Sequence, residues 1–211
     1  MPLGPLAANA YVVADEASRE AVVIDPGQEA GALAARLEGE GWKVRALLAT
    51  HAHFDHIGGA IAVQAATGAT LYVPRAELAW LDDPMLNLSA ALAAAGVPEV
   101  RLGGIACEGI DGGFEQRIGD HVVAALATPG HTPGGLSYHV PGLGPMGTVF
   151  TGDSLFAGTI GRTDLPGGDR DRLLASIRGR LLALPGGTAV MPGHGRATTV
   201  DEERLLNPFL S

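Results

Sequence analysis

Along the first hundred residues, short apolar runs alternate with helix-length amphipathic stretches. "AYVVAD" and "AVVIDPG" have the length of strands and end in turn residues, "EAGALAARLEGEG" repeats alanine and leucine at helical spacing, "KVRALLAT" is again a strand, "IGGAIAVQAATG" a helix and "TLYVP" a strand. Strands that alternate with helices predict an α/β fold in layers. Farther along, "FEQRIGD", "HVVAALATPG", "GGLSYHVPG" and "TVFTGD" follow one another with no helix between them, which predicts successive strands, the middle ones antiparallel. "DRDRLLASIRGRLLAL" predicts a helix capped by Asp169, "TAVMPG" a further strand and "VDEERLLNPF" a terminal helix. The stretch "RAELAWLDDPMLNLSAALAAAG", from Arg75, is helical in character and broken at Pro84. It reads either as a lid or as packing helices with Met85 and Leu88 in the core. No repeat, low-complexity tract or linker interrupts the pattern, and residues 1–211 are expected to form one domain.

Composition changes this picture by exclusion. With 46% hydrophobic and 18% charged residues the chain has the makings of a packed core, so disorder is ruled out. A formal net charge of −9, with no cluster of Lys and Arg, argues against nucleic acid as a partner. The start "MPLGPLAANAYVVADE" has no basic region before an apolar stretch, and nowhere do about 18 apolar residues run together, so a cytoplasmic protein without a membrane partner is expected. Cys107 is the single cysteine, which rules out an intrachain disulfide and a thiolate cage and leaves an idle thiol.

The chemistry gathers where strands end. "VRALLATHAHFDH", "VVAALATPGH", "TVFTGD" and "TAVMPGH" share one format: an apolar strand, a tight turn, then a side chain able to bind a metal. In layered α/β folds, residues just past the carboxyl ends of strands line a common crevice. His51, His53 and Asp55 alternate and, if extended, point one way, while His56 faces a neighbouring site. Two glycines then let the chain turn into a helix. With seven histidines in 211 residues, a histidine followed by others at both +2 and +5 is expected by chance about once in a thousand trials. Three imidazoles beside an aspartate without a cation would repel or stay unsatisfied, so the cluster points to metal. His131, Asp153 and His194 join it by their shared format, whereas His121 and His139 lack that format and read as structural. Five histidines and two aspartates exceed what one tetrahedral ion with an open position needs. Two ions about 3.5 to 4 Å apart fit better, with Asp153 as the bridging carboxylate. Nitrogen and oxygen donors suit Zn, Fe or Mn.

This set resembles the metallo-β-lactamase superfamily, whose HxHxDH signature is followed by a later His, Asp and His; here these are His51, His53, Asp55, His56, His131, Asp153 and His194. The resemblance implies a four-layer αββα sandwich. It also implies that His51, His53 and His131 hold one divalent ion and Asp55, His56 and His194 the other, Zn foremost, with Asp153 and a hydroxide shared. The flanks "HAHFDHIGGA", "TPGHTPGG", "TGDSLFAGTIGRTDLPGGD" and "MPGHG" are most similar to short glyoxalase II-like hydrolases of thioesters such as hydroxyacylglutathione. The expected activity is thioester hydrolysis by the shared hydroxide, with Asp55 and Asp153 as catalytic residues and a small acyl-thiol as partner. The thiol carrier and the assembly, a homodimer among the options, are left open. Arg162 holds either a substrate carboxylate or its own loop. Asp25, in "VIDPG", caps a turn or supports a ligand from behind. The superfamily also contains mononuclear Fe(II) persulfide dioxygenases, for which His51, His131 and Asp153 would be the ligands, as well as lactonases and phosphodiesterases. Class B β-lactamases place a cysteine where Asp153 stands, which argues against lactam cleavage.

Overall fold

The computed structural model describes Met1–Leu210, and the chain divides into two compact units, Met1–Ile110 and the residues from Asp111 onward. Each unit is built on its own sheet.

The first unit opens with a short ribbon, β1 (Pro2–Leu3) and β2 (Ala8–Asn9). Its main sheet runs in the order β3 (Tyr11–Asp15), β4 (Glu20–Ile24), β5 (Lys43–Leu48), β6 (Leu71–Pro74), β7 (Cys107–Ile110). Strand β3 pairs antiparallel with β4, and all later pairs are parallel. Burial follows from position. Ala21 to Ile24 are fully buried, as strands inside a parallel sheet must be apolar on both faces, whereas edge strand β3 exposes Val12 and buries Val13. Parallel neighbours need crossovers, and helices α1 (Gly31–Gly39) and α3 (Ala60–Thr67) supply two of them. They turn Leu33, Leu37 and Val63 into a core shared with Leu47, Phe54, Ile57, Leu71 and Trp80. Between β5 and α3 lies one short turn of helix, α2 (Phe54–Ile57).

The stretch after β6 forms two 3-10 segments, Arg75–Asp82 and Ser89–Ala95, separated as Pro84 predicts. Trp80 and Leu81 are buried, and Leu88 packs against the core. Asn87, fully buried, donates to the carbonyls of Trp80 and Val100 at 3.0 and 2.9 Å. These contacts make the segment a packed wall. Met85 is the correction: it is 72% exposed and lies outside the core.

The second unit carries the sheet β15 (Thr198–Thr199), β14 (Ala189–Pro192), β11 (Thr148–Gly152), β10 (Leu136–Val140), β9 (His121–Ala127), β8 (Glu115–Ile118) in that order. The middle strands are antiparallel as expected; only β11 and β14 run parallel. A small hairpin, β12 (Leu155–Phe156) and β13 (Thr159–Ile160), follows β11. Helix α4 (Arg170–Ser176) starts at Asp169, whose side chain accepts from the Arg172 amide at 3.0 Å, and the Ile177–Leu181 turn is wound more widely, around Gly179. Leu173, Ile177 and Leu181 pack with Val149, Leu155, Val190 and Val200, the last from helix α5 (Val200–Leu206). Strands β1, β2, β12, β13 and β15 were not expected, because two residues give too little periodicity to register, and four-residue β7 was not expected either. Among the described residues no helix is long and apolar enough to cross a membrane.

His139 sits in β10 between Ala124 of β9 and Val149 of β11. Its Nε2 is buried without a hydrogen-bond partner, and burial lowers its pKa below 6.5. The unfolded chain therefore binds this proton more readily than the fold does, so stability is present above about pH 6.5 and is lost as pH falls toward the folded value. His139→Leu is expected to flatten the decline in urea midpoint between pH 7 and pH 5.5; an unchanged slope would assign the acid sensitivity elsewhere.

Candidate metal centre

In the first unit, β4 and β5 are parallel neighbours with Ile24 beside Leu48, so the residues just past their ends meet. Asp25, 2% exposed, accepts from the Thr50 amide at 2.7 Å, from the Thr50 hydroxyl at 2.8 Å and from His56 Nδ1 at 2.9 Å. A carboxylate accepts only, so His56 carries its proton on Nδ1 and offers Nε2 as its basic nitrogen. Thr50 has one hydroxyl proton and gives it to Asp25. Its oxygen, 3.0 Å from His51 Nδ1, therefore accepts from that nitrogen, which also leaves His51 with a basic Nε2. One carboxylate thus sets the tautomer of two imidazoles. Asp25 itself sits at φ +51°, a left-handed conformation that aspartate tolerates better than most residues.

The extended stretch stops at His53, and Asp55 and His56 lie on helix α2. The expected alternation through Asp55 is therefore absent, because the chain has begun to coil. Coiling brings His56 back toward His51, with ring centroids 4.2 Å apart, while the His51 and His53 rings meet edge-on at 4.6 Å. Asp55 Oδ2 stands 3.6 Å from His56 Nε2. His53 stacks on Trp80 at 5.9 Å, and buried Glu77 accepts from the Ala52 amide at 2.7 Å, holding the stretch between the two histidines. The glycines after the motif serve close approach more than turning. Gly59 gives its amide to the Pro26 carbonyl at 2.8 Å, and a Cβ there would lie 2.1 Å from the Gly27 carbonyl oxygen.

In the second unit, parallel β11 and β14 end side by side, and the Gly193 amide donates to the Gly152 carbonyl at 2.8 Å. The next residue on each strand is Asp153 and His194. His131 follows Pro129 and Gly130, where φ is +134° and a Cβ would collide with Leu173. His131 Nδ1 donates to the Arg162 carbonyl at 2.8 Å, so its basic nitrogen is again Nε2. That nitrogen lies 3.7 Å from Asp153 Oδ2, and His194 Nε2 lies 3.7 Å from the same oxygen. These separations are too long for hydrogen bonds. They match two ligands about 2.0 to 2.2 Å from a shared cation, which stand roughly 3.4 to 3.7 Å apart. A basic nitrogen facing a carboxylate oxygen across such a gap needs positive charge between them, so the donor set fits a metal. A single oxygen placed equally from two imidazoles can share a cation with either of them.

The other sequence candidates fall outside these sets. His121 and His139 lie within β9 and β10, and Cys107 is exposed on β7. The Arg162 guanidinium is exposed and held in two bonds of 2.8 and 2.7 Å by Asp164, whose carboxyl it pulls down to about 2. Glu77 was missed, since a glutamate in "RAELAW" carries no signal of its buried partner.

Residues 3–194 match the family described as the metallo-β-lactamase superfamily. The probable metallo-hydrolase YqgX of Bacillus subtilis is 40% identical over 100% of this chain and 96% of its own length, and hydroxyacylglutathione hydrolase GloC of Haemophilus influenzae is 33% identical with the same coverage. Among solved structures, BLEG-1 B3 metallo-β-lactamase has a TM-score of 0.90 at 41% identity, covering 100% of this chain and 97% of its own. TTHA1623, in a di-iron-bound form, has a TM-score of 0.83 at 37% identity, covering 100% and 98%.

Proposed function

The chain belongs to the metallo-β-lactamase superfamily as a metal-dependent hydrolase with that fold, and from this premise we propose that it hydrolyses thioesters at a dinuclear centre. The observation that supports the dinuclear reading is the placement of Asp153 Oδ2 3.7 Å from both His131 Nε2 and His194 Nε2, which would let it join the two ions to which these imidazoles are assigned. Similarity to GloC along nearly the whole of both chains supports the thioester as substrate. His51, His53 and His131 are assigned to one divalent ion, Asp55, His56 and His194 to the other, and Asp153 to both. Zn is the first choice, with Fe or Mn as alternatives. When bound, the ions supply a Lewis acid for the substrate carbonyl and a water acidified toward neutrality.

The protein's own part is to orient and to move protons. Asp25 holds His56 directly and His51 through Thr50, so both imidazoles present Nε2 without rotating. Asp55, with one oxygen turned to His56, is assigned to orient the attacking water and accept its proton. The leaving thiolate has a conjugate acid of pKa about 8.5, so no dedicated acid is required. Arg162 is proposed to exchange Asp164 for a substrate carboxylate. Arg162→Ala is then expected to raise KM about three- to tenfold for thioesters bearing a carboxylate, with kcat little changed. An unchanged KM would leave Arg162 a loop residue.

The function is tested by metal analysis of the purified protein, with turnover of hydroxyacyl thioesters on several thiols. Two ions per chain and thioester cleavage are expected. One iron per chain with oxygen uptake on persulfide, or cleavage of lactams alone, would overturn the reading.

A further inference from the structure

Beside His194 the second unit carries a recess of about 330 Å³, walled by Phe156, Ala157 and Thr159 on one side and by His194, Gly195 and Arg196 on the other. Its first wall is the β12–β13 hairpin, and two buried side chains of the C-terminal segment hold the hairpin in place. Glu203, 1% exposed, accepts from the Gly158 amide at the hairpin tip at 2.9 Å. Asn207, 2% exposed, donates to the Thr159 carbonyl at 3.1 Å and to Glu203 at 2.8 Å. Thr198 donates to the other Glu203 oxygen at 2.8 Å. A buried carboxylate is costly unless its hydrogen bonds are supplied, and this one spends them on a six-residue hairpin. Leu155 points into the core, so the next residue, Phe156, faces the other way, its ring 6.3 Å from that of His194. The Arg196 guanidinium is turned to Glu202 at 2.9 Å.

We infer that this recess receives an apolar substituent of the acyl group, with Phe156 and Ala157 setting how long that substituent can be, and with Glu203 and Asn207 as positioning residues for the wall. The inference rests on the thioester reading proposed above. Its physical ground is that His194 belongs both to the ligand set and to the recess. Of the two substituents of a thioester carbonyl brought to the ligands, an alkyl acyl chain suits hydrocarbon walls better than a polar thiol carrier such as glutathione, so the acyl side is assigned to Phe156. The phenyl ring and the Ala157 methyl present hydrocarbon there, and hydrocarbon is what they can take from water.

The test uses purified, metal-loaded protein and acetyl, butanoyl and hexanoyl thioesters of N-acetylcysteamine, with a second series in which the acyl group stays acetyl and the thiol's alkyl chain is lengthened. Specificity kcat/KM is expected to rise about fourfold per acyl methylene and to respond little to the thiol series. Ala157→Leu, which narrows the recess, is expected to lower the hexanoyl-to-acetyl ratio. Glu203→Ala is expected to lower that ratio and Glu203→Gln to restore much of it, which a loss of stability alone would not do. Calorimetric binding of ketone analogues, in which a methylene replaces the thioester sulfur, reads the same trend without turnover. Turnover and binding that ignore acyl length, or follow thiol length instead, would overturn the recess assignment while leaving thioester hydrolysis standing. Absence of turnover on every thioester, with analogue binding still tightening as the acyl chain grows, would overturn the thioester reading and support an apolar site.

Discussion

Asp153→Ala is expected to lower thioester kcat/KM by on the order of a thousandfold and to loosen both ions together. Its Oδ2 is the single oxygen placed at 3.7 Å from each of two imidazole nitrogens, so its removal withdraws a ligand and a negative charge from both sides at once. Stabilisation by a metal is worth several kcal/mol at a developing oxyanion, and about 4 kcal/mol corresponds to the thousandfold loss. Asp153→Asn retains the shape and one acceptor oxygen but loses the charge, and is expected to fall between. Metal content after dialysis against a chelator, measured beside kcat/KM, checks the point. If one ion stayed bound at its original affinity in Asp153→Ala, the bridging assignment would be wrong.

Asp25→Ala is expected to weaken metal binding about 10- to 100-fold although Asp25 is assigned to neither ion. The carboxylate receives the Thr50 amide, the Thr50 hydroxyl and His56 Nδ1, and through the hydroxyl it also sets His51. Without it three buried donors lose their acceptor, at about 1 to 3 kcal/mol for each donor left unsatisfied. The fold is therefore expected to lose about 3 kcal/mol or more, read as a shift in urea midpoint. Asp25→Asn keeps an oxygen but turns an amide NH₂ toward donors that need an acceptor, so it is expected to recover only part of either loss. Chelator competition gives the metal affinity and urea unfolding the stability. Unchanged affinity in Asp25→Ala would mean that His51 and His56 are held by something else.

Much of the candidate site was legible because it is written locally. The motif from His51 to His56 spans six positions, and the Pro-Gly turns before His131 and His194 announce themselves in any reading frame of strand and turn. The catalogue of supporting residues was less so. Asp25 stood as a turn residue with a supporting role as the alternative, and only its three hydrogen bonds decide between them. Glu77 is 25 residues from the amide it receives, and no local pattern marks it. Met85 shows the same limit from the opposite side, since one of the two readings of its stretch put it in the core with Leu88, and it stands 72% exposed.

The sequence by itself determined the α/β class, nearly all the long strands and helices, and the types and order of the candidate ligands. Periodicity, turn chemistry and the donor properties of imidazole and carboxylate are all properties of neighbouring residues. Tertiary structure decided which nitrogen His51, His56 and His131 offer, why Gly59 must lack a side chain, where extension gives way to helix at Phe54, and that one oxygen of Asp153 faces two rings. Those outcomes depend on which strand ends lie side by side, as with Ile24 and Leu48 or β11 and β14. Pairing of that kind is settled by packing between segments far apart in the chain, which no local stretch encodes.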